Sequence, residues 1–178
     1  MLYTRKGDSG TSGLFGTKER FPKDSPVYEA LGALDELNSL LGICRARSLH
    51  HKDGGRKIAE AIVGAQQCLF VIQAEIAGSS KSLTQLHIDE LERTIDTFET
   101  LIENPHAFVV PGSTEFSSLL DCARAVGRRA ERTMVAMSPT NTISSNSGAY
   151  INRLSSLLYA LARYAAMMES SEELSPTY

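Results

Sequence analysis

Three arginines, Arg124, Arg128 and Arg132, follow one another at four-residue steps in the stretch ARAVGRRAER. On a helix that spacing puts all three guanidiniums on one face. Like charges at such spacing repel by about 0.2–0.5 kcal/mol per pair, so the face calls for acidic partners or a polyanion. A solvated face with Glu131 as local counter-charge is the other reading. Ala123, Val126, Gly127 and Ala130 give this helix a packed side and put Arg128 near its bundle-facing edge. A guanidinium held there suits bidentate contact with phosphate. A second phosphate-type inventory opens the chain. In GDSGTSGLFG, glycine stands at every third position: Gly7, Gly10, Gly13 and Gly16. Glycine lets a ligand approach the backbone closely, and a run of exposed N–H groups makes an anion-binding concavity. Thr4, Thr11 and Ser12 add hydroxyls, Arg5, Lys6 and Lys23 add positive charge, and Asp8 is placed to join a Mg²⁺ shell. The stretch is not the common P-loop, since GxxxxGK[ST] is absent and no strand precedes it. A flexible terminal arm is the competing reading.

Three further features carry polar or aromatic groups into apolar surroundings. Asp35 lies among Leu31, Leu34 and Leu37, and carboxylates are seldom buried unless paired. An arginine of the ARAVGRRAER segment is its natural partner, unless Asp35 and Glu36 form a polar edge. Asn152, Ser155 or Ser156, and Tyr159 make a polar stripe at helical spacing. Asn152 both donates and accepts, which suits a sugar or base edge, although an interhelical hydrogen bond is the commoner fate. Phe108 in AFVVPGS is either an anchor into the core or an exposed wedge for a flat ligand. No Glu-x-x-His pair lies on a predicted helix, and no GxSxG or local Cys–His pair occurs. Nothing here therefore looks like a nucleophile or a dedicated general base, and if the chain is an enzyme its nucleophile comes from a substrate or cofactor.

These groups need a scaffold, and apolar residues at three- and four-residue steps supply it. They predict helices over about 26–48, 57–77, 84–103, 114–137 and 148–169. Pro26 suits a first helical turn and Thr84 an N-cap. At 1.5 Å per residue these are rods of roughly 30 Å, joined by short breaks. The fold class is all-α, a five-helix bundle. One domain spans 1–178: a glycine-rich loop over 1–24, the bundle over 25–169 and an acidic, loose tail over 170–178.

The 178 residues are 42% apolar and 22% charged, which places the chain among soluble globular proteins. A net charge of −3 argues against general nucleic-acid binding. Cys44, Cys68 and Cys122 each fall in an apolar helical pattern and form no CxxC. They read as buried thiols in a reducing compartment. No apolar run of about 18 residues predicts a membrane span. No signal peptide is recognisable, so a cytoplasmic protein is expected, with a leader-trimmed organelle form still open.

Taken in order, YTRKGDSGTSGLFG, FPKDSPVYEALGALDELNSLLG, FVVPGS, ARAVGRRAER and YINRLSSLLYALARYAA resemble the PduO-type ATP:cob(I)alamin adenosyltransferase family. The likeness runs from residue 3 to about 166, with 50–104 matching only as helices. It implies a homotrimeric five-helix bundle with ATP bound between neighbouring subunits. The activity implied is transfer of the 5′-deoxyadenosyl group of ATP to Co(I) of a reduced corrinoid, with release of triphosphate. A non-catalytic ATP- or corrinoid-binding bundle is the alternative.

The resemblance also assigns roles. Thr4, Arg5, Lys6, Gly7, Ser12 and Gly13 match the family's ATP loop, and Lys23 its phosphate-contacting lysine. Arg128, Arg129, Glu131 and Arg132 match its nucleotide motif, and Asn152 the asparagine of its last helix. Asp35 and Arg124 match a structural salt bridge near the subunit interface. Phe108 matches the aromatic on the lower face of the corrinoid. Arg128, Lys23 and Phe108 would bear most directly on catalysis. ATP and cob(I)alamin are the implied substrates, with Mg²⁺ carried by ATP. A reductase would supply electrons, and an adenosylcobalamin-dependent mutase or dehydratase would receive product. Three departures stand out: Ser113 follows Pro111-Gly112 where a further glycine is usual, Ser156 replaces an aspartate, and Asp121-Cys122 replaces a common LH or HF.

Overall fold

The computed structural model describes residues 3–52, 54–103, 107–138 and 143–177. Five helices carry the chain: α1 (Pro26–Ser48), α2 (Gly55–Ile76), α3 (Gln85–Glu99), α4 (Glu115–Met137) and α5 (Ser145–Met168). α4 packs against both α1 and α5, α1 against α2, and α3 against α5. The second half of α5 lies at the centre, where residues 160–166 are buried on every side. Its YALARYAA sequence explains this, since small alanines let neighbouring helices approach from all directions. No helix among the described residues is long and apolar enough to cross a membrane.

The helix ends follow local chemistry. Pro26 opens α1, where its missing N–H costs nothing. At Thr84 the backbone N–H donates to His87 Nδ1 at 3.1 Å, half of a reciprocal cap on α3. Thr114 Oγ1 accepts from the Ser117 N–H at 3.0 Å and starts α4. Three boundaries differ from the periodicity. α2 begins at Gly55, because a side chain at the preceding turn has no room: a Cβ on Gly54, whose φ is +82°, would stand 2.4 Å from Tyr164 Oη. α3 stops at Glu99. α5 starts at Ser145, earlier than expected, because Glu75 at the end of α2 accepts from the Ser144 N–H at 2.8 Å and the Ser147 hydroxyl at 2.5 Å.

Three expectations are corrected. The glycine segment is not wholly loop: β1 (Thr11–Gly13) pairs antiparallel with β2 (Arg20–Pro22), with Ser12 opposite Phe21. The tail is not loose over its first residues, because the Ser171 hydroxyl donates to Ser113 O at 3.0 Å and the Val110 N–H to Leu174 O at 2.8 Å. Of the three cysteines only Cys44 is fully buried; Cys68 is half-buried and Cys122 exposed. Cys122 occupies the solvent side of α4, between Asp121 and Ala123, which face inward. Burial pushes the Cys44 thiol up to about 12.

Candidate functional site

The arginine helix is held rigidly. α4 is clamped between α1 and α5 by Leu120, Ala123, Gly127, Ala130 and Met134, all buried. Across it, Arg129 pairs with Glu36 of α1. On the same turn, Glu131 Oε1 accepts from Asn152 Nδ2 of α5 at 2.7 Å. Glu131 and Asn152, 21 residues apart in sequence, are thus one polar pair. Asn152 is exposed and leaves its carbonyl oxygen on the surface.

Arg128 and Arg132 are exposed, and among the described residues neither has a carboxylate partner. Two cations on adjacent turns without counter-charge make a site for an anion. Arg128 also lines a cleft of about 450 Å³ between α3, α4 and α5. Ser155, Ser156 and Tyr159 of α5 line it together with Ile95, Glu99 and Ile102, so one carboxylate shares the cleft. Arg124 reaches the same cleft. Arg124 is not paired with Asp35 within the chain: its Nε donates to Asp121 Oδ1 at 3.3 Å, and Asp35 is exposed.

The N-terminal groups are organised by a residue that the sequence did not single out. The Arg20 guanidinium donates to Lys6 O at 2.6 Å, to Thr11 O at 2.8 Å and to Thr11 Oγ1 at 3.0 Å. It ties the start of the glycine stretch to its middle. Lys23 closes the loop from the other side, its N–H donating to Gly10 O at 2.9 Å. Its ammonium lies over Gly7, where a Cβ would stand 3.1 Å from Nζ. Glycine at position 7 lets the lysine charge sit against the backbone of the loop. Arg5 adopts φ +58°, a left-handed conformation uncommon for a side-chain-bearing residue. The Lys6 N–H donates to Thr4 Oγ1 at 3.4 Å. Ser12 and Gly13 lie on β1. Arg5, Lys6 and Lys23 are all exposed, so three cations are displayed around one glycine turn.

Phe108 is 77% exposed, which rules out the core-anchor reading within the single chain. Val110, also exposed, continues an apolar edge toward Pro111. Among the described residues no group of three or more His, Cys, Asp or Glu side chains forms a metal cage. Asp8 is exposed and offers one carboxylate, which suits a hydrated Mg²⁺ brought by a polyphosphate rather than a resident ion.

Comparison with known proteins identifies a family for the chain. The family described as cobalamin adenosyltransferase matches residues 2–165. The corrinoid adenosyltransferase of Citrobacter freundii is 39% identical over 169 residues, covering 91% of this chain and 93% of its own length. The corrinoid adenosyltransferase PduO of Salmonella typhimurium is 40% identical, and the chain spans about half (48%) of that longer relative. The human corrinoid adenosyltransferase MMAB is 36% identical, covering 97% of this chain and 71% of its own. Among solved structures, a phenylalanine-to-alanine variant of the PduO-type ATP:corrinoid adenosyltransferase of Lactobacillus reuteri, complexed with cobalamin and ATP, superposes over the whole of both chains. Its TM-score is 0.91 and its identity 29%. An arginine-to-lysine variant of that enzyme, complexed with ATP, gives a TM-score of 0.88 at 28% identity, covering 99% of this chain and all of that one.

Proposed function

This chain belongs to the cobalamin adenosyltransferase family, and we propose that it transfers the 5′-deoxyadenosyl group of ATP to the Co(I) centre of a reduced corrinoid. A cobalt–carbon bond forms at C5′ while the C5′–O bond breaks. The leaving electron pair goes to triphosphate, and cobalt passes formally from Co(I) to Co(III). The observation that carries the reading is the pair Arg128 and Arg132, without a carboxylate partner among the described residues, beside the exposed Asn152–Glu131 pair. The metal centre of the substrate supplies the nucleophile, so the protein needs to align two reactants and hold the charge that develops on the leaving group.

Arg128 and Arg132 suit that charge, and Asn152 suits the sugar or base edge. Thr4, Arg5, Lys6, Gly7, Ser12, Gly13 and Lys23 form a second set of phosphate-binding groups around the glycine turn, with Mg²⁺ accompanying the nucleotide. The exposed ring of Phe108 offers a flat apolar surface to the lower face of the corrinoid, where it keeps an axial donor off the cobalt. An axial donor stabilises the oxidised metal, so removing it favours reduction.

The assembly that fits is a homotrimer in which the glycine ribbon of one subunit closes over the arginine face of the next. Asp35, exposed in the single chain, is then free to meet Arg124 of a neighbour. A cytoplasmic location fits the free thiols. A reductase upstream and an adenosylcobalamin-dependent mutase or dehydratase downstream complete the expected setting.

The test mixes purified protein, Mg²⁺-ATP and chemically reduced cobalamin. Loss of Co(I) absorbance with equimolar triphosphate is the expected result. Persistence of Co(I) while ATP is bound would overturn the reading.

A further inference from the structure

Asp121, one of the departures in the sequence, sits at the centre of a buried ionic cluster. It is 5% exposed and Arg163, on the fully enclosed part of α5, is 3% exposed. Arg163 Nη2 donates to Asp121 Oδ2 at 2.5 Å, and its guanidinium lies over the Tyr159 ring at 5.0 Å. The other oxygen of Asp121 accepts from Arg124, which with Tyr159 lines the Arg128 cleft. Arg163 Nε also faces Glu173 Oε1 of the tail, at 2.8 Å but without hydrogen-bond alignment.

The tail reaches this cluster through a defined turn. Ser170 adopts φ +52°, and the Ser170 and Ser171 N–H groups donate to Met167 O at 2.9 Å and Ala166 O at 3.1 Å. That geometry ends α5 and turns the chain back. Residues 171–174 then run to the Phe108 loop, bonding Ser113 O through the Ser171 hydroxyl and the Val110 N–H through Leu174 O. One continuous path therefore links the loop that displays Phe108, the tail, the Arg163–Asp121 pair and the cleft of Arg128.

We propose that residues 170–174 are a strap that positions the Phe108 loop for the corrinoid, with Arg163 and Asp121 as its positioning anchor. The strap fixes Val110 and Ser113 on one side of the loop and leaves Phe108 pointing free. It rests on the corrinoid reading given above.

The experiment compares the full chain with a chain ending at Ser170, using cob(II)alamin binding, its EPR spectrum and steady-state kinetics. Two hydrogen bonds to the Phe108 loop and a charge contact are lost, which is worth roughly a ten-fold loss of corrinoid affinity. The KM for corrinoid should rise by that factor and the KM for ATP stay within about two-fold. The nitrogen superhyperfine splitting of bound Co(II), which reports an axial base, should reappear in the shortened chain if the ring is no longer held in place. Ser170→Pro should reproduce the loss, since proline cannot take φ +52°, and Ser170→Gly should restore wild-type behaviour. An unchanged corrinoid KM and an unchanged EPR spectrum in the shortened chain would overturn the strap. So would an equal rise in both KM values with reduced helicity, which would mean general damage to the bundle. A wild-type chain that binds cob(II)alamin without turnover would remove the enzymatic reading alone, and the binding and EPR arms would still decide the strap. A wild-type chain that binds no corrinoid would remove both.

Discussion

Replacing Arg20 by alanine separates the order of the glycine ribbon from the stability of the bundle. Arg20 makes three hydrogen bonds, to Lys6 O, Thr11 O and Thr11 Oγ1, all within the N-terminal segment. The site is exposed, so each bond is worth about 0.5–1 kcal/mol rather than the full value of a buried charged contact. The sum is about 2 kcal/mol of ribbon order, or up to roughly thirty-fold in the ordered fraction. A nucleotide that binds only the ordered ribbon sees its apparent affinity fall by that fraction. The KM for ATP of Arg20→Ala should therefore rise between about five- and thirty-fold, with corrinoid KM little changed. Thermal unfolding should stay within about 2 °C of wild type, because no helix loses a partner. Steady-state rates at saturating Co(I) corrinoid measure the first effect, and amide exchange at Thr11–Gly13 measures the loss of pairing directly. Arg20→Lys should recover only part of the affinity, since an ammonium cannot reach two carbonyls and a hydroxyl with one planar fork. An unchanged ATP KM together with faster exchange at Thr11–Gly13 would refute the link between ribbon order and nucleotide binding.

Arg128→Ala should cut kcat by about 10²–10³, the usual cost of removing one group that stabilises charge developing in the transition state, while far-UV circular dichroism stays unchanged. Phe108→Ala should leave chemically supplied Co(I) a usable substrate and impair turnover that starts from Co(II); equal loss in both assays would remove the axial-ligand role. Stability should fall on the alkaline side through Cys44. Its folded value of about 12 lies above the ordinary 9.0, so the unfolded chain releases the proton first and stability is lost as pH rises from about 9 toward 12. Between pH 8 and pH 10 urea unfolding should lose about 1 kcal/mol more in wild type than in Cys44→Ala. At pH 8 a thiol reagent should label exposed Cys122 rapidly and Cys44 only after unfolding.

The helices were legible because their apolar residues recur at the helical period, and α1 was read to its ends because Pro26 marks the start. What stayed hidden depended on partners far away in sequence. The ribbon's brace joins Arg20 to carbonyls 14 and 9 residues earlier, and no periodicity encodes that. Asp121 stood out as unusual, but its partner Arg163 lies 42 residues on, inside a run that reads as plain apolar helix. The tail read as loose from its acidic composition, yet one of those acids, Glu173, faces a buried guanidinium. Burial raises the Glu173 carboxyl while Arg163 pulls it down. The candidate site was legible as an inventory and not as an arrangement. Spacing put three arginines on one face, but only the packed structure shows that Arg129 is taken by Glu36 and Arg124 by Asp121, leaving Arg128 and Arg132 without an ion-pair partner among the described residues.

That allocation of charges bears on mechanism. A displacement at C5′ moves negative charge onto the leaving triphosphate, and a cation helps only if it need not reorganise when the charge arrives. In the proposed reaction Arg128 would meet that demand through its backbone. It sits in the middle of a helix pinned on two sides, with Gly127 buried against Leu37 and Leu158. The ribbon meets a different demand. Its cations are held by an exposed arginine brace, a short strand pair and one Lys23 N–H bond, so in the proposed reaction it would open to admit ATP and close again at small cost. The two halves should then fail differently. Damage to the α4 face removes stabilisation that exists only in the transition state and appears in kcat, whereas damage to the ribbon removes ground-state holding and appears in KM. A ribbon variant that lowered kcat by as much as Arg128→Ala, at unchanged ATP KM, would mean the ribbon touches the developing charge itself.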